Sequence, residues 1–155
     1  MLTMSSALDR CHRLYGRKQA IVDYEGTWSW IEHLDRVARA AALLQRLGVK
    51  RGERFGILSR NTFRHCELLH AGYWAGLVPV PVNVRLAPPE IASILGDAEV
   101  KALALDEPFA PLADSEHLKP FTGNAFELAP SPLGSRLPDY ESLIRDCQPA
   151  ALVES

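Results

Sequence analysis

The stretch RFGILSRNTFRHCELLHAGYWAGLVPVPV, residues 54–82, determines the fold class. It opens with a short apolar run, Arg54 to Ser59, which is typical of a buried parallel strand. Residues 62–75 follow with the apolar spacing of a helix, and Gly76 ends that helix. A second apolar run, Leu77 to Val82, completes a strand–helix–strand unit. This order predicts a parallel sheet that is covered by helices.

Upstream of this unit lies the clearest helix, SWIEHLDRVARAAALLQRLG, residues 29–48. Ser29 and Glu32 have the spacing of a capping box at its start. Apolar residues recur every three or four positions along it, and Gly48 supplies a left-handed stop. The sequence therefore predicts a long amphipathic helix that packs on the sheet.

The alternation continues downstream. Pro88 and Pro89 open a predicted helix over residues 90–95, since proline is tolerated in a first helical turn. Residues 100–106, VKALALD, predict another strand. The predicted fold class is therefore α/β, with a mostly parallel sheet flanked by helices.

Two prolines interrupt the second strand of the unit. Pro79 and Pro81 carry no amide hydrogen, and because they are two residues apart their missing donors face the same way. The strand is therefore unable to pair on that side, which predicts an edge or interrupted strand.

The chain divides into three predicted regions. Residues 1–28 form an amino-terminal lead-in and a short hairpin, and residues 29–106 form the α/β core. Residues 107–155 form a proline-rich, irregular segment with a short helix near 139–147, which Asp139 caps. Within that segment, FTGNAFELAP (residues 121–130) predicts one edge strand.

Composition excludes several classes of protein. The 155 residues are 47% hydrophobic and 23% charged with a net charge of −2, which is ordinary for a globular domain and gives no basic surface for nucleic acid. No apolar run approaches the roughly 20 residues of a membrane span, and no signal peptide is recognisable. Cys11, Cys66 and Cys147 form no C-x-x-C motif, so they predict reduced thiols in a cytoplasmic protein.

The usual catalytic motifs are absent from the sequence. It contains no G-x-G-x-x-G, no Walker loop and no G-x-S-x-G elbow. His65 and His70 are five residues apart, so they lie on different helix faces, whereas a metal pair needs a separation of four. His12 and His33 have no partner at ligand spacing. The sequence therefore predicts no catalytic, cofactor-binding or metal-binding residue, and we assign the histidines surface or packing roles.

Three weaker signals each leave two interpretations open. Four aromatic residues would either stack on a flat ligand or, as we favour, pack in the core: Trp28, Trp30, Tyr73 and Trp74. Asn83 and Arg85 would either bind an anion at the carboxyl end of a strand or, as we favour, have local roles: Asn83 turns the chain and Arg85 pairs with a nearby group. The segment VKRGER, residues 49–54, is an anion site or, as we favour, a helix-capping turn.

The order of these segments resembles the amino-terminal part of the adenylate-forming enzymes, which include acyl-CoA synthetases, luciferases and peptide-synthetase adenylation domains. Residues 27–30 stand where the family has a Thr-Tyr opening to its first long helix. Residues 47–54 are similar to its Leu-Gly-Val-x-x-Gly-Asp-x-Val turn, and Asn61 matches the asparagine after its next strand. Residues 75–83 resemble its Gly-Ala-x-x-x-Pro-Leu-Asn segment. The resemblance covers about residues 14–106 and, weakly, residues 139–147.

The sequence departs from the family at its reactive motifs. It lacks the Ser/Thr/Gly-rich phosphate loop that ends in Pro-Lys-Gly and the adenine and ribose motifs. It also lacks the magnesium-binding glutamate and the catalytic lysine. The resemblance therefore implies an amino-terminal fragment that is inactive alone and holds no cofactor.

The implied parent is an ATP-dependent carboxylate–CoA ligase of fatty acid metabolism, which uses ATP, Mg²⁺, CoA and a carboxylic acid. It forms an acyl-adenylate and then a thioester. Two alternatives stay open: a non-catalytic, flavodoxin-like binding or interaction module, and a truncated paralogue that pairs with a full-length ligase. We also expect a homo-oligomer, because a fragment of a larger sheet exposes apolar surface that favours association, with the proline-rich tail as the candidate contact surface.

Overall fold

The computed structural model describes residues 3–129 and 136–153, so residues 130–135 of the predicted proline-rich segment lie outside it. The described residues form an α/β fold. In chain order the elements are α1 (Met4–Tyr15), β1 (Gln19–Asp23), β2 (Gly26–Ser29), α2 (Trp30–Arg46), β3 (Arg54–Leu58), α3 (Phe63–Ala75), β4 (Val78–Pro81), α4 (Pro88–Asp97), β5 (Leu103–Leu105), β6 (Ala125–Glu127) and α5 (Tyr140–Arg145). Two 3₁₀ segments, Glu107–Asp114 and Lys119–Phe121, lie between β5 and β6.

The main sheet has four strands in the order β4-β3-β5-β6, and every neighbouring pair is parallel. This confirms the predicted α/β class with a parallel sheet. Strand β6 lies at one edge, inside the stretch that predicts an edge strand. Strands β1 and β2 pair antiparallel as a separate hairpin, as the lead-in sequence predicts.

Side-chain alternation in the strands builds two hydrophobic layers. In β3, Phe55 and Ile57 pack against α2 and α3, whereas Leu58 joins the opposite layer with α4. In β5, Ala104 faces the first layer while its neighbours Leu103 and Leu105 face the second. Because the strands are buried on both faces, they read as continuous apolar runs in the sequence.

The two prolines of β4 belong to an edge strand, as the sequence predicts. The Val78 amide donates to the Glu53 carbonyl at 2.9 Å, and the Val82 amide donates to the Ile57 carbonyl at 2.9 Å. Strand residues alternate in direction, so Pro79 and Pro81 face away from β3. Because β4 is an edge strand, no ladder hydrogen bond is lost there.

The predicted helix ends are confirmed. The Glu32 carboxylate accepts from the Ser29 amide at 2.8 Å, and the Ser29 hydroxyl accepts from the Glu32 amide, which completes the capping box. Gly76 has a φ of 69° at the end of α3. The Asp139 carboxylate accepts from the Ser142 amide at 2.9 Å at the start of α5.

Two elements, α4 and β5, differ most from their predicted bounds. Helix α4 begins at Pro88 and continues to Asp97, because prolines fit the first turn and the Glu90 carboxylate accepts from the Ala87 amide at 2.8 Å. Strand β5 is shorter than residues 100–106 and covers Leu103–Leu105, which are the residues that pair with β3 and β6.

A network of charged side chains ties the hairpin, α2, α3 and α5 together. Arg36 donates to Glu67, which is 1% exposed, and to Glu141 at 2.8 Å and 3.0 Å. Arg64 donates to Glu141 at 2.7 Å and to Glu25 at 2.8 Å. Each arginine therefore bridges two carboxylates from different elements.

Among the described residues, no helix combines the length and the apolar character that crossing a membrane requires.

Candidate functional site

A cleft of about 480 Å³ opens at the carboxyl ends of β3 and β4. Open parallel sheets bind ligands at this edge, because the loops that follow neighbouring strands converge there. The residues lining the cleft come from the segments after β3 and β4 and from α3: residues 59–61, His65 and residues 81–84. We take this cleft as the candidate functional site.

The cation at the cleft is already paired. Arg60 follows β3, and its Nε donates to Oδ2 of Asp106 at 2.8 Å. Hydrogen bonding and attraction to the Asp106 carboxylate raise the pKa of Arg60. Asp106 follows β5 and is buried, and its other oxygen accepts from the Glu107 amide at 3.1 Å. The pair therefore links the segments after two neighbouring strands at this edge of the sheet.

His65 lines the cleft, and one of its ring nitrogens, Nδ1, is buried without a hydrogen-bond partner among the described residues. Burial lowers the pKa of His65, while the Asp106 carboxylate and a backbone contact with Ser59 oppose that change. A buried unpaired polar atom costs about 1–3 kcal/mol, so a water or ligand group that reached Nδ1 would relieve this cost.

A second, smaller cleft of about 230 Å³ shares Arg60 with the first and is also lined by Asp106. Its other walls include Tyr24 and Glu25 of the hairpin and Arg64 of α3. Arg60 therefore lines both clefts.

The structure favours the turn interpretation for Asn83. Its Oδ1 accepts from the Arg85 amide at 3.0 Å, which is the geometry of an Asx turn. Asn83 lines the cleft through this turn, whereas Arg85 is exposed and is not among the lining residues. The two residues are therefore not brought together as an anion site.

The aromatic residues pack as we expected. Trp28 stacks on Phe63 with ring centroids 4.2 Å apart. Trp30, Tyr73 and Trp74 pack against the core beneath α2 and α3, and Trp74 Nε1 donates to the Ala150 carbonyl at 2.9 Å. None of the four lines the main cleft.

The segment at residues 49–54 forms a capping turn. Gly52 has a φ of 80°, and its amide donates to the Gly76 carbonyl at 2.8 Å. The Lys50 amide donates to the Glu53 carboxylate at 2.7 Å. The amides of this turn are therefore used inside the protein.

One side-chain cluster escaped the sequence analysis. His33 Nε2 lies 2.8 Å from His70 Nδ1, and Cys66 Sγ lies 4.0 Å from the same His70 atom. Part of the cluster is visible in the sequence, because Cys66 and His70 are four residues apart on α3 and therefore lie on the same face of the helix. The pairing of His33 with this face depends on how α2 packs on α3, which residue spacing does not reveal.

The charged groups of the main cleft do not fit the phosphates of ATP or Mg²⁺. At the main cleft, the guanidinium of Arg60 and the carboxylate of Asp106 neutralise each other. We therefore assign no step of an ATP-dependent reaction to residues of this chain.

Comparison with known proteins identifies related sequences. A sequence model described as AMP-binding enzyme matches residues 8–148. The chain is 32% identical over 115 residues to a 3-methylmercaptopropionyl-CoA ligase of Ruegeria lacuscaerulensis, a match that covers 72% of this chain and 21% of that protein. It is 31% identical to a peroxisomal butyrate–CoA ligase of Arabidopsis thaliana, with 96% and 28% covered. The chain thus spans between a fifth and just over a quarter of these relatives.

Solved structures agree with the sequence matches. The chain superimposes with a TM-score of 0.85 and 25% identity on a putative long-chain-fatty-acid CoA ligase from Rhodopseudomonas palustris, covering 99% of this chain and 39% of that one. It also superimposes on the N-terminal domain of FACL13 from Mycobacterium tuberculosis, with a TM-score of 0.81, 25% identity and 100% and 39% covered. The four-stranded sheet and its helices therefore match part of an amino-terminal ligase domain.

Proposed function

Because the chain belongs to the family of AMP-binding enzymes, we propose that it forms the amino-terminal part of an ATP-dependent carboxylate–CoA ligase. The observation that carries this proposal is the family match over residues 8–148, together with relatives that are named as CoA ligases. The alternative of a flavodoxin-like module is not supported, since the matches include the N-terminal domain of a related protein.

The proposed parent reaction joins a carboxylate to AMP, releases pyrophosphate and then transfers the acyl group to the CoA thiol. ATP, Mg²⁺ and CoA would bind to parts of the parent other than the described residues. The cleft after β3 and β4 would form one wall of a larger site, with His65 Nδ1 as a hydrogen-bonding atom and the Arg60–Asp106 pair as a rigid edge. The fragment alone is then inactive.

The proposed substrate class is a carboxylic acid, with a place in fatty acid metabolism. Relatives named for butyrate, benzoate and long-chain fatty acids all match this chain. Because one amino-terminal sequence resembles ligases for such different acids, we propose that other parts of the parent select the acyl chain.

The experiment compares two proteins in ATP–pyrophosphate exchange. The 155-residue chain is expected to give no exchange with butyrate, benzoate or palmitate. The product of the whole reading frame around this sequence is expected to give exchange with at least one acid, and to form the thioester when CoA is added. Exchange by the chain alone would refute its inactivity, and a reading frame with no ligase motif beyond this chain would refute the proposed parent.

We also propose a cytoplasmic location and self-association for this chain. The three cysteines are free thiols, which fits a reducing compartment. Exposed apolar side chains on the hairpin support association.

A further inference from the structure

Three potential metal ligands meet between α2 and α3. His33 projects from α2 and is 1% exposed, whereas Cys66 and His70 lie one turn apart on α3 and are partly buried. Within the described residues, one group of three or more histidine, cysteine or acidic side chains comes this close together: the ligand atoms of these three lie within 4.8 Å of one another.

Two of the three spacings between these atoms are close to those of a tetrahedral zinc site, and the third, between His33 and Cys66, is within 4.8 Å. Zinc binds histidine nitrogen at about 2.0–2.1 Å and cysteine sulfur at about 2.3 Å, so its ligand atoms stand roughly 3.3–3.6 Å apart. The His33–His70 nitrogen pair is 2.8 Å apart, and the Cys66–His70 pair is 4.0 Å apart. Displacements of less than about 1 Å would bring these pairs to the zinc geometry.

A charged side chain close to the cluster is neutralised by its own partners. The positive charge of nearby Arg36 is balanced by its ion pairs with Glu67 and Glu141.

We propose that His33, Cys66 and His70 form a binding site for Zn²⁺ that ties α2 to α3. His33 Nε2, His70 Nδ1 and Cys66 Sγ are the protein ligands, and a water molecule takes the fourth position. Zn²⁺ replaces the hydrogen bond between the His33 and His70 rings. The hydrogen of that bond moves to the second nitrogen of the ring that carried it. The Cys66 thiol loses its proton to solvent, so one proton is released for each Zn²⁺ bound.

The test uses the reduced, chelator-treated chain without a histidine tag, titrated with Zn²⁺ against a chromophoric chelator and separately with Co²⁺. We expect one Zn²⁺ per chain and a thiolate-to-cobalt charge-transfer absorption. Cys66→Ser should abolish that absorption, and Cys66→Ser and His70→Gln should each weaken Zn²⁺ binding by more than the roughly 10–100-fold that loss of an outer partner costs.

Cys11→Ser is the matched control, because Cys11 is the other partly buried thiol and belongs to α1. It should bind both ions as the unaltered chain does. Failure of the unaltered chain to bind Zn²⁺ with this stoichiometry would refute the site, and the two rings would then share only a hydrogen bond. Unchanged binding in a Cys66→Ser chain with native circular dichroism would also refute it. If that variant does not fold, the Co²⁺ spectrum of Cys11→Ser decides, since the absence of the thiolate absorption excludes Cys66.

Discussion

At the scale of single residues, Glu141 connects the two arginines of the charged network. It accepts from Arg36 and from Arg64, which belong to different helices, and its side chain is 24% exposed. Breaking one partner of a buried network is more costly than losing a surface pair, because charged groups are left without partners in a medium that solvates them poorly. Glu141 should therefore stabilise the packing of α5 on α2 and α3.

The pH dependence of this contribution follows from the pKa of Glu141. Burial alone would raise that pKa, but hydrogen bonds and attraction from Arg36 and Arg64 lower it below the ordinary value of 4.5. A carboxyl group whose pKa is lowered on folding stabilises the protein fully above its unfolded pKa and loses that contribution as the pH falls below it. We expect Glu141→Gln to reduce the free energy of unfolding by about 2 kcal/mol at pH 7. The difference from the unaltered chain should shrink between pH 4.5 and pH 3.

Urea unfolding of both chains across this pH range measures the difference. Asp9→Asn is the control, because Asp9 forms an exposed ion pair with Arg13 within α1 and should contribute less than about 1 kcal/mol at any pH. A Glu141→Gln difference that persists unchanged at pH 3 would show that the stabilisation does not come from the ionised carboxylate.

Contacts of this kind could not be predicted from the sequence. Arg36 and Glu141 are 105 residues apart, and His33 and His70 are 37 residues apart. Each pair depends on how α2 docks against other elements, whereas sequence patterns report only neighbours within a turn or two. The cleft shows the same limit. The sequence points to Asn61 and Asn83, but the burial of His65 Nδ1 without a partner depends on tertiary packing.

At the scale of elements, local sequence signals are sufficient to predict where several helices begin and end. The capping box of α2, the proline start of α4 and the glycine end of α3 all act within three or four residues, so the sequence states them directly. Buried strands likewise reveal themselves as short apolar runs. Strand β5 is shorter than the predicted strand because only Leu103–Leu105 pair in register with both β3 and β6, although Lys101, Ala102 and Asp106 still hydrogen-bond to β3.

The contact between α3 and β4 depends on the absence of a side chain at Gly72. A Cβ built there would lie 2.8 Å from Cδ of Pro79 and 3.3 Å from Cε1 of Phe55. The proline ring is stiff and Phe55 is fully buried, so neither side chain moves easily. The helix therefore needs glycine at this position in order to approach the sheet.

We predict opposite effects for alanine at two helical glycines. Gly72→Ala should lower the free energy of unfolding by about 1–3 kcal/mol, because overpacking exceeds the gain in helix propensity. Gly96→Ala in α4 is the matched control: its Cβ would meet only Phe121, at 3.7 Å, so it should raise stability by roughly 0.5 kcal/mol. Thermal and urea unfolding measure both. A Gly72→Ala chain as stable as Gly96→Ala would disprove the close approach.

At the scale of the whole molecule, the chain matches an amino-terminal ligase domain and leaves apolar side chains exposed. Val22 is 72% exposed and Tyr24 is 86% exposed, and both lie on the hairpin of β1 and β2. Large exposed apolar side chains that lie together favour association. The hairpin is therefore the surface through which we expect the isolated chain to associate.

Light scattering at increasing concentration tests this expectation. The 155-residue chain should show a mass that rises above that of the monomer, and Val22→Ser combined with Tyr24→Ser should shift the transition to higher concentration because less apolar area is buried on association. Leu14→Ser is the control, since Leu14 is 56% exposed and belongs to α1, not to the hairpin. A monomeric mass at every concentration would exclude self-association. A shift as large in Leu14→Ser as in the hairpin variant would place the contact elsewhere on the surface.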